Sequence, residues 1–189
     1  MNMRNVNIVA RYESKLLRRD IVFLGFVVIA LVGISLWQMI KQGRVNVFWY
    51  KVALPSSFPF FSMYYYNLVQ VLIALFVCME VVYRERKKDA MEVFLCRPFR
   101  NSEYCIGRFL GIFRMFLFVN ICVLLVCMYI NLWVVGAPFN VWIYVFYLLT
   151  LSLPTLIFVL GCALCISGMV KNRPISVLVL GLWGLGVYF

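Results

Sequence analysis

The sequence predicts an all-α, polytopic membrane helix bundle, and three observations carry that reading. Of 189 residues, 65% are hydrophobic, 17% aromatic and only 13% charged, far from the composition of a soluble domain. Four apolar segments, residues 21–40, 64–82, 109–135 and 141–170, match the roughly 20 residues that a hydrocarbon core requires. The charge between them is sorted by side. A fifth apolar segment, residues 175–189, is too short to finish a crossing, so the chain is expected to stop inside a helix. The whole length, 1–189, therefore reads as a single membrane domain with its last part missing.

Orientation follows from the basic residues, because cytoplasmic loops retain an excess of them. Arg4, Arg11, Lys15, Arg18 and Arg19 precede the first span, eight more lie between Arg84 and Arg114, and Lys171 and Arg173 follow the fourth. The opposite flanks hold only Lys41, Arg44 and Lys51. The N-terminus is expected in the cytoplasm, with the chain multi-pass in its membrane. Aromatic residues, Phe48, Trp49, Tyr50, Phe58, Phe60, Phe61 and Tyr64 to Tyr66, crowd the outer ends of the first two spans, and Trp133 and Trp142 bracket a short outer turn. Rings with an apolar body and a polar tip suit the headgroup level, and an aromatic lid over a substrate path is the alternative.

Residues 5–19 read as an amphipathic helix, with Val6, Val9, Ala10, Leu16 and Leu17 near one face and Arg4, Arg11, Lys15 and Arg18 on another. Such a helix is expected to lie along the inner membrane surface until the chain turns at Asp20. A plain cationic flank with no fixed helix is the alternative. The first span is not a cleaved signal, since a long charged, helix-patterned segment precedes it and no small-residue cleavage site follows.

Polar groups inside spans are expensive in lipid and call for an explanation each. Glu80 stands one turn before Arg84, a spacing that suits an interfacial ion pair; proton coupling is the alternative. Asn67, Gln70, Asn120 and Asn131 suit interhelical hydrogen bonds. Cys162 and Cys165 form a CxxC, but the chain has no histidine and no second ligand pair, so Gly161, Cys165 and Gly168 are read as small residues for helix packing. Seven cysteines, none in the outer segments, imply no disulfide framework. The net charge of +11 is spread along membrane flanks and is matched to anionic lipid headgroups, with no nucleic acid partner expected. No nucleophile–base set or phosphate loop is present, so the chain is expected not to be an enzyme.

Most of the charge sits in residues 84–108, which carry more order than a topology signal needs. Within 87–96, Ala90, Met91, Val93, Phe94 and Leu95 cluster on one side of a helix, with Lys88, Asp89 and Glu92 on the other. Pro98 ends that helix and biases Arg97 away from it. Asn101 or Ser102 then offers an N-cap and Glu103 suits the first turn of a helix running through Gly107 and Arg108 into the third span.

This line, RERKKDAMEVFLCRPFRNSEYCIGRFLG, resembles the loop between the second and third membrane helices of ABC-2 type transporter permeases. Arg84, Glu85 and Arg86 match an Arg-Glu-Arg group, Met91 and Glu92 a short amphipathic helix, Pro98 a turn, and Gly107 with Arg108 a Gly-basic pair. Residues 8–23 resemble the start of the same family, with Glu13 and Arg19 at its acidic and basic positions. The chain departs from it at Asp89 and Ala90, where Gly-Thr is frequent, and at Arg108, where Lys is common. The layout covers the whole chain and the motifs about residues 5–111.

The resemblance implies a permease half in a bacterial inner membrane that pairs with a second half and is driven by a separate cytoplasmic ABC ATPase, with ATP and magnesium held by that subunit and no cofactor here. It places the ATPase contact at Glu85, Arg86, Asp89, Glu92, Phe94, Leu95 and Arg97, with Phe94 and Leu95 as anchors in a polar rim. ATP binding would move residues 87–96 as a lever and re-pack the spans for export. The alternatives are a topogenic loop resting on the bilayer, a permease-like anchor of a membrane-bound enzyme such as a peptidase fusion, and a non-transporting scaffold.

Overall fold

The computed structural model describes residues 3–44, 56–85, 101–135, 139–170, 179 and 182. Helix accounts for 94% of it, with no strand among the described residues, so the class is all-α. Helix α1 is Met3–Leu17, α2 Ile21–Arg44, α3 Ser57–Glu85 and α4 Asn101–Ile130. A π-helical turn, Asn131–Val135, continues α4. Then come α5 (Val141–Tyr147), a second π-helical stretch (Leu148–Ser152) and α6 (Leu153–Met169).

Three helices are long and apolar enough to cross a membrane, Phe58–Tyr83, Asn101–Trp133 and Val141–Met169. In lipid only such elements satisfy their own backbone groups. The expectation of four spans and part of a fifth thus reduces to three among the described residues, with Ile21–Gly33 of α2 as a shorter apolar helix. The segment 175–189 lies outside the described residues apart from Val179 and Leu182. α3, expected to span from residue 64, starts earlier, at Ser57. Pro59 sits in its first turn, where a missing N–H leaves no helical bond unmade, so the SFPFFS stretch enters the helix.

Local signals explain the other joints. After α1 the chain turns through Arg19 N–H to the Leu16 carbonyl at 3.0 Å and Asp20 N–H to the Leu17 carbonyl at 3.1 Å. Asp20 Oδ1 then accepts from Val22 N–H at 2.9 Å, an N-cap for α2. Asn140 does the same for α5, accepting from Trp142 N–H at 3.0 Å. The last span widens before Pro154, Leu153 N–H donating to the Leu148 carbonyl in the π register, and Pro154 falls in the first turn of α6.

Polarity runs inside out relative to a soluble bundle. Ile21, Val22, Val28 and Ile29 of α2, Phe118, Leu125 and Tyr129 of α4 and Trp133 of the π turn after it are exposed. Asn67, Gln70, Asn120, Asn131 and Ser152 are buried. Apolar side chains outside, with the uncharged polar ones of the spans kept inside among apolar neighbours, is the distribution that a hydrocarbon solvent selects.

The described residues gather into two compact units, one from Met1–Phe23, Val71–Met115 and Leu156–Phe189, the other from Leu24–Gln70 and Phe116–Thr155. In the first, α1 packs on the start of α4. In the second, Phe26 meets Phe116 with ring centroids 5.7 Å apart, and Phe60 of α3 meets Tyr147 of α5 at 5.6 Å.

Candidate functional site

The first unit holds a helix clamp beside the segment that carries the sequence motif. The inward face of α1 is Val6, Val9, Ala10, Glu13 and Leu17, all buried at the spacing of one helical face. It packs on Gly107 and Gly111 of α4. A Cβ added at Gly107 would stand 2.8 Å from Val9 Cβ and 2.9 Å from the Val6 carbonyl oxygen, and one added at Gly111 would stand 2.7 Å from Glu13 Cβ and 2.8 Å from the Ala10 carbonyl oxygen. Only glycine permits this approach, and the four-residue spacing places both on one face of α4.

Polar contacts fix the register of the pair. Asn5 Nδ2 donates to Glu103 Oε2 at 3.1 Å, and Arg114 Nη1 donates to Asn7 Oδ1 at 3.1 Å. Ser14 Oγ lies 2.8 Å from the Ala10 carbonyl and 3.0 Å from the Gly111 carbonyl, sharing its proton between the two helices. Glu13, Glu103 and Arg108 are all buried, at 3%, 5% and 8% exposure, and each has polar or electrostatic partners. Buried charge of this kind survives only in a compensated setting.

α1 was expected to rest its apolar face on the bilayer. That face is instead occupied by α4, while Ile8, Arg11, Tyr12, Lys15 and Arg18 remain exposed. The close-packing glycines also differ from those expected. A Cβ at Gly161 or Gly168 would meet nothing within 4 Å, and Cys165 is exposed, so that stripe makes no close helix contact within the described residues. Gly107 and Gly111 carry the spacing signal that was there to be read.

Of the ATPase-contact residues named from the sequence, Arg86, Asp89, Glu92, Phe94, Leu95 and Arg97 lie outside the described residues. Glu85 is the last residue of α3, and its side chain is also outside the description. Arg84, the partner expected for Glu80, shares that position, and Glu80 itself is half-buried. The structure therefore places the two ends of the segment, the close of α3 and the opening of α4 at Asn101.

The second unit holds a buried polar cluster. Asn67 Nδ2 donates to Ser152 Oγ at 3.1 Å, joining α3 to the second π stretch, and Ser152 Oγ lies 3.9 Å from Met63 Sδ. Asn131, at the head of the first π turn, donates to the Tyr144 hydroxyl at 2.7 Å. Asn120 turns back onto its own helix, Nδ2 donating to the Phe116 carbonyl at 2.8 Å, and makes no interhelical bond. Gln70 is 2% exposed, yet neither of its amide atoms has a hydrogen-bond partner, and the same holds for the Tyr66 hydroxyl.

On the surface of the second unit a shallow apolar hollow of about 540 Å³ is lined by Trp142, Phe146, Tyr147 and Leu149 among others. No group of three or more His, Cys, Asp or Glu side chains able to hold a metal occurs among the described residues. The described cysteines are free thiols. Comparison with family models, with curated proteins and with solved structures finds no match.

Proposed function

We propose that this chain is the permease half of an ATP-driven membrane exporter, inserted with its N-terminus in the cytoplasm and paired with a second half. A separate cytoplasmic ABC ATPase would hold ATP and magnesium and press on the segment between α3 and α4, so the chain itself performs no catalysis. The reading rests on the resemblance of residues 84–108 to the coupling loop of ABC-2 permeases. One structural observation supports it above the others. α4, the helix that follows this segment, is bound along its first turns to α1 by two glycine contacts and by hydrogen bonds from Asn5, Ser14 and Arg114.

A displacement delivered at Asn101 would therefore carry α1 with it, which is the rigid-body behaviour that coupling needs. A loop that merely sets topology requires no such bracing. Affinity purification of the full-length protein tests the reading: an ABC ATPase should accompany it. Replacing both Phe94 and Leu95 with Asp should abolish that co-purification while membrane insertion persists. Wild-type recovery of the ATPase with the double variant would remove the contact assignment.

A further inference from the structure

The buried face of α3 is polar along one part of its length and apolar along the rest. Ser62, Tyr66, Asn67 and Gln70 are buried in the second unit, whereas Val71, Ala74, Leu75, Val77, Cys78 and Val81 are buried in the first. The hydrogen-bonding capacity of the polar part is only partly used. Tyr66 Oη, Asn67 Oδ1, Gln70 Nε2 and Gln70 Oε1 are buried with no hydrogen-bond partner, and across the unit Asn120 Oδ1 and Asn131 Oδ1 share that condition. Burying such groups in a low-dielectric interior is unfavourable unless something they bind compensates it.

Two further observations point the same way. The partner of Asn67 is Ser152, which closes a π-helical stretch, and Asn131 opens the other. π-Helical turns in otherwise regular helices recur at functional sites because they redirect a side chain that a regular turn would aim elsewhere. Among the described side chains of this unit none carries a charge, which sets the chemistry of what can bind. An ion would meet no counter-charge among the described side chains of this unit. A purely apolar group would leave both donors and acceptors unmet.

We propose that Tyr66, Asn67, Gln70 and Ser152 form a binding site for an uncharged hydroxyl-rich group, one that offers donors to the amide oxygens and acceptors to the Gln70 amide and the Tyr66 hydroxyl. Under the exporter reading, on which this part rests, the group belongs to the cargo. The chemistry has two sources, the headgroup of a neutral glycolipid or a free sugar.

The test uses the full-length protein in detergent, without any ATPase, so failure to find an ATPase leaves it intact. Four probes are compared by thermal shift and native mass spectrometry: a monoglucosyl diacylglycerol, the same diacylglycerol without sugar, phosphatidylglycerol, and free glucose. The glucosyl lipid or glucose should bind at least tenfold tighter than the other two, the better of the pair identifying the source. Gln70→Met, which keeps the shape and removes the amide, should erase that preference, and Tyr66→Phe should weaken it severalfold. Tyr64→Phe, on the exposed side of the same helix, should leave it unchanged. Equal binding of sugar-bearing and sugar-free lipid would overturn the proposal, as would tighter binding of phosphatidylglycerol. So would an undiminished sugar preference in Gln70→Met or, if that variant fails to fold, in Tyr66→Phe.

Discussion

The two units bury polar groups of different kinds. In the first, three charged side chains are buried and each has partners, though Glu13 Oε2 and Arg108 Nε and Nη2 make no hydrogen bond, while glycines bring two helix backbones together and Asn5, Ser14 and Arg114 bond across. In the second, no described side chain is charged, yet Tyr66 and Gln70 are buried with hydrogen-bonding atoms unmatched. Charged groups cross-linked between two helices stiffen a joint, and a buried amide matched at neither its donor nor its acceptor marks a place whose stability has been subordinated to something else. The contrast separates a brace from a site.

Breaking the brace should produce the largest effects. Glu13→Ala removes one member of a buried charged set and should lower unfolding free energy by about 3–5 kcal/mol in denaturant titration. Gly111→Leu forces a side chain into the Ala10 backbone of α1, with a loss near the top of the ~1–3 kcal/mol range for overpacking or beyond it. Limited proteolysis should then cut α1 first. Conversely, a disulfide between Asn5→Cys and Glu103→Cys, whose parent side chains bond at 3.1 Å, should leave coupled ATPase turnover intact. Loss of turnover on oxidation and recovery on reduction would show that the two helices part during the cycle.

The site should respond with the opposite sign. Gln70→Met relieves a buried, unmatched amide and should raise the thermal midpoint of the ligand-free protein, by a free energy of about 1–3 kcal/mol. Smaller still, Gly161→Ala fills open space on α6 and should stabilise by roughly 0.5–1 kcal/mol, the usual helix-interior difference between the two residues. The same substitution at Gly107 should destabilise, since its Cβ would stand 2.8 Å from Val9 Cβ.

The crossing helices were legible because roughly 20 apolar residues in a row have few other uses. The acidic first turn at Glu103 and the cap at Asp20 were legible for a local reason, the electrostatics and hydrogen bonding of helix starts, whereas Asn101, expected with Ser102 as a cap, is the first residue of α4 itself. What α1 packs against was not legible. An amphipathic pattern says that a face needs an apolar surface, and a bilayer and a glycine-lined helix satisfy it equally. Spacing likewise failed to separate Gly107 and Gly111 from Gly161 and Gly168, because close approach depends on what lies opposite.

The π-helical stretches left no trace in composition, since one extra residue per turn changes no letter frequency. The unmatched amide of Gln70 was hidden for a related reason. A polar residue in a span announces that it needs a partner, and only the packed structure tells whether it has one.

The bond between Asn5 and Glu103 joins residues 98 positions apart. At ~5–20 residues per second of synthesis, the α1 face stays without its helical partner for roughly 5–20 s after it leaves the ribosome. During that interval the cationic, amphipathic α1 has the lipid surface as its nearest apolar resting place. The surface helix expected from the sequence would then be a stage in the life of the newborn chain, ended by the clamp on α4.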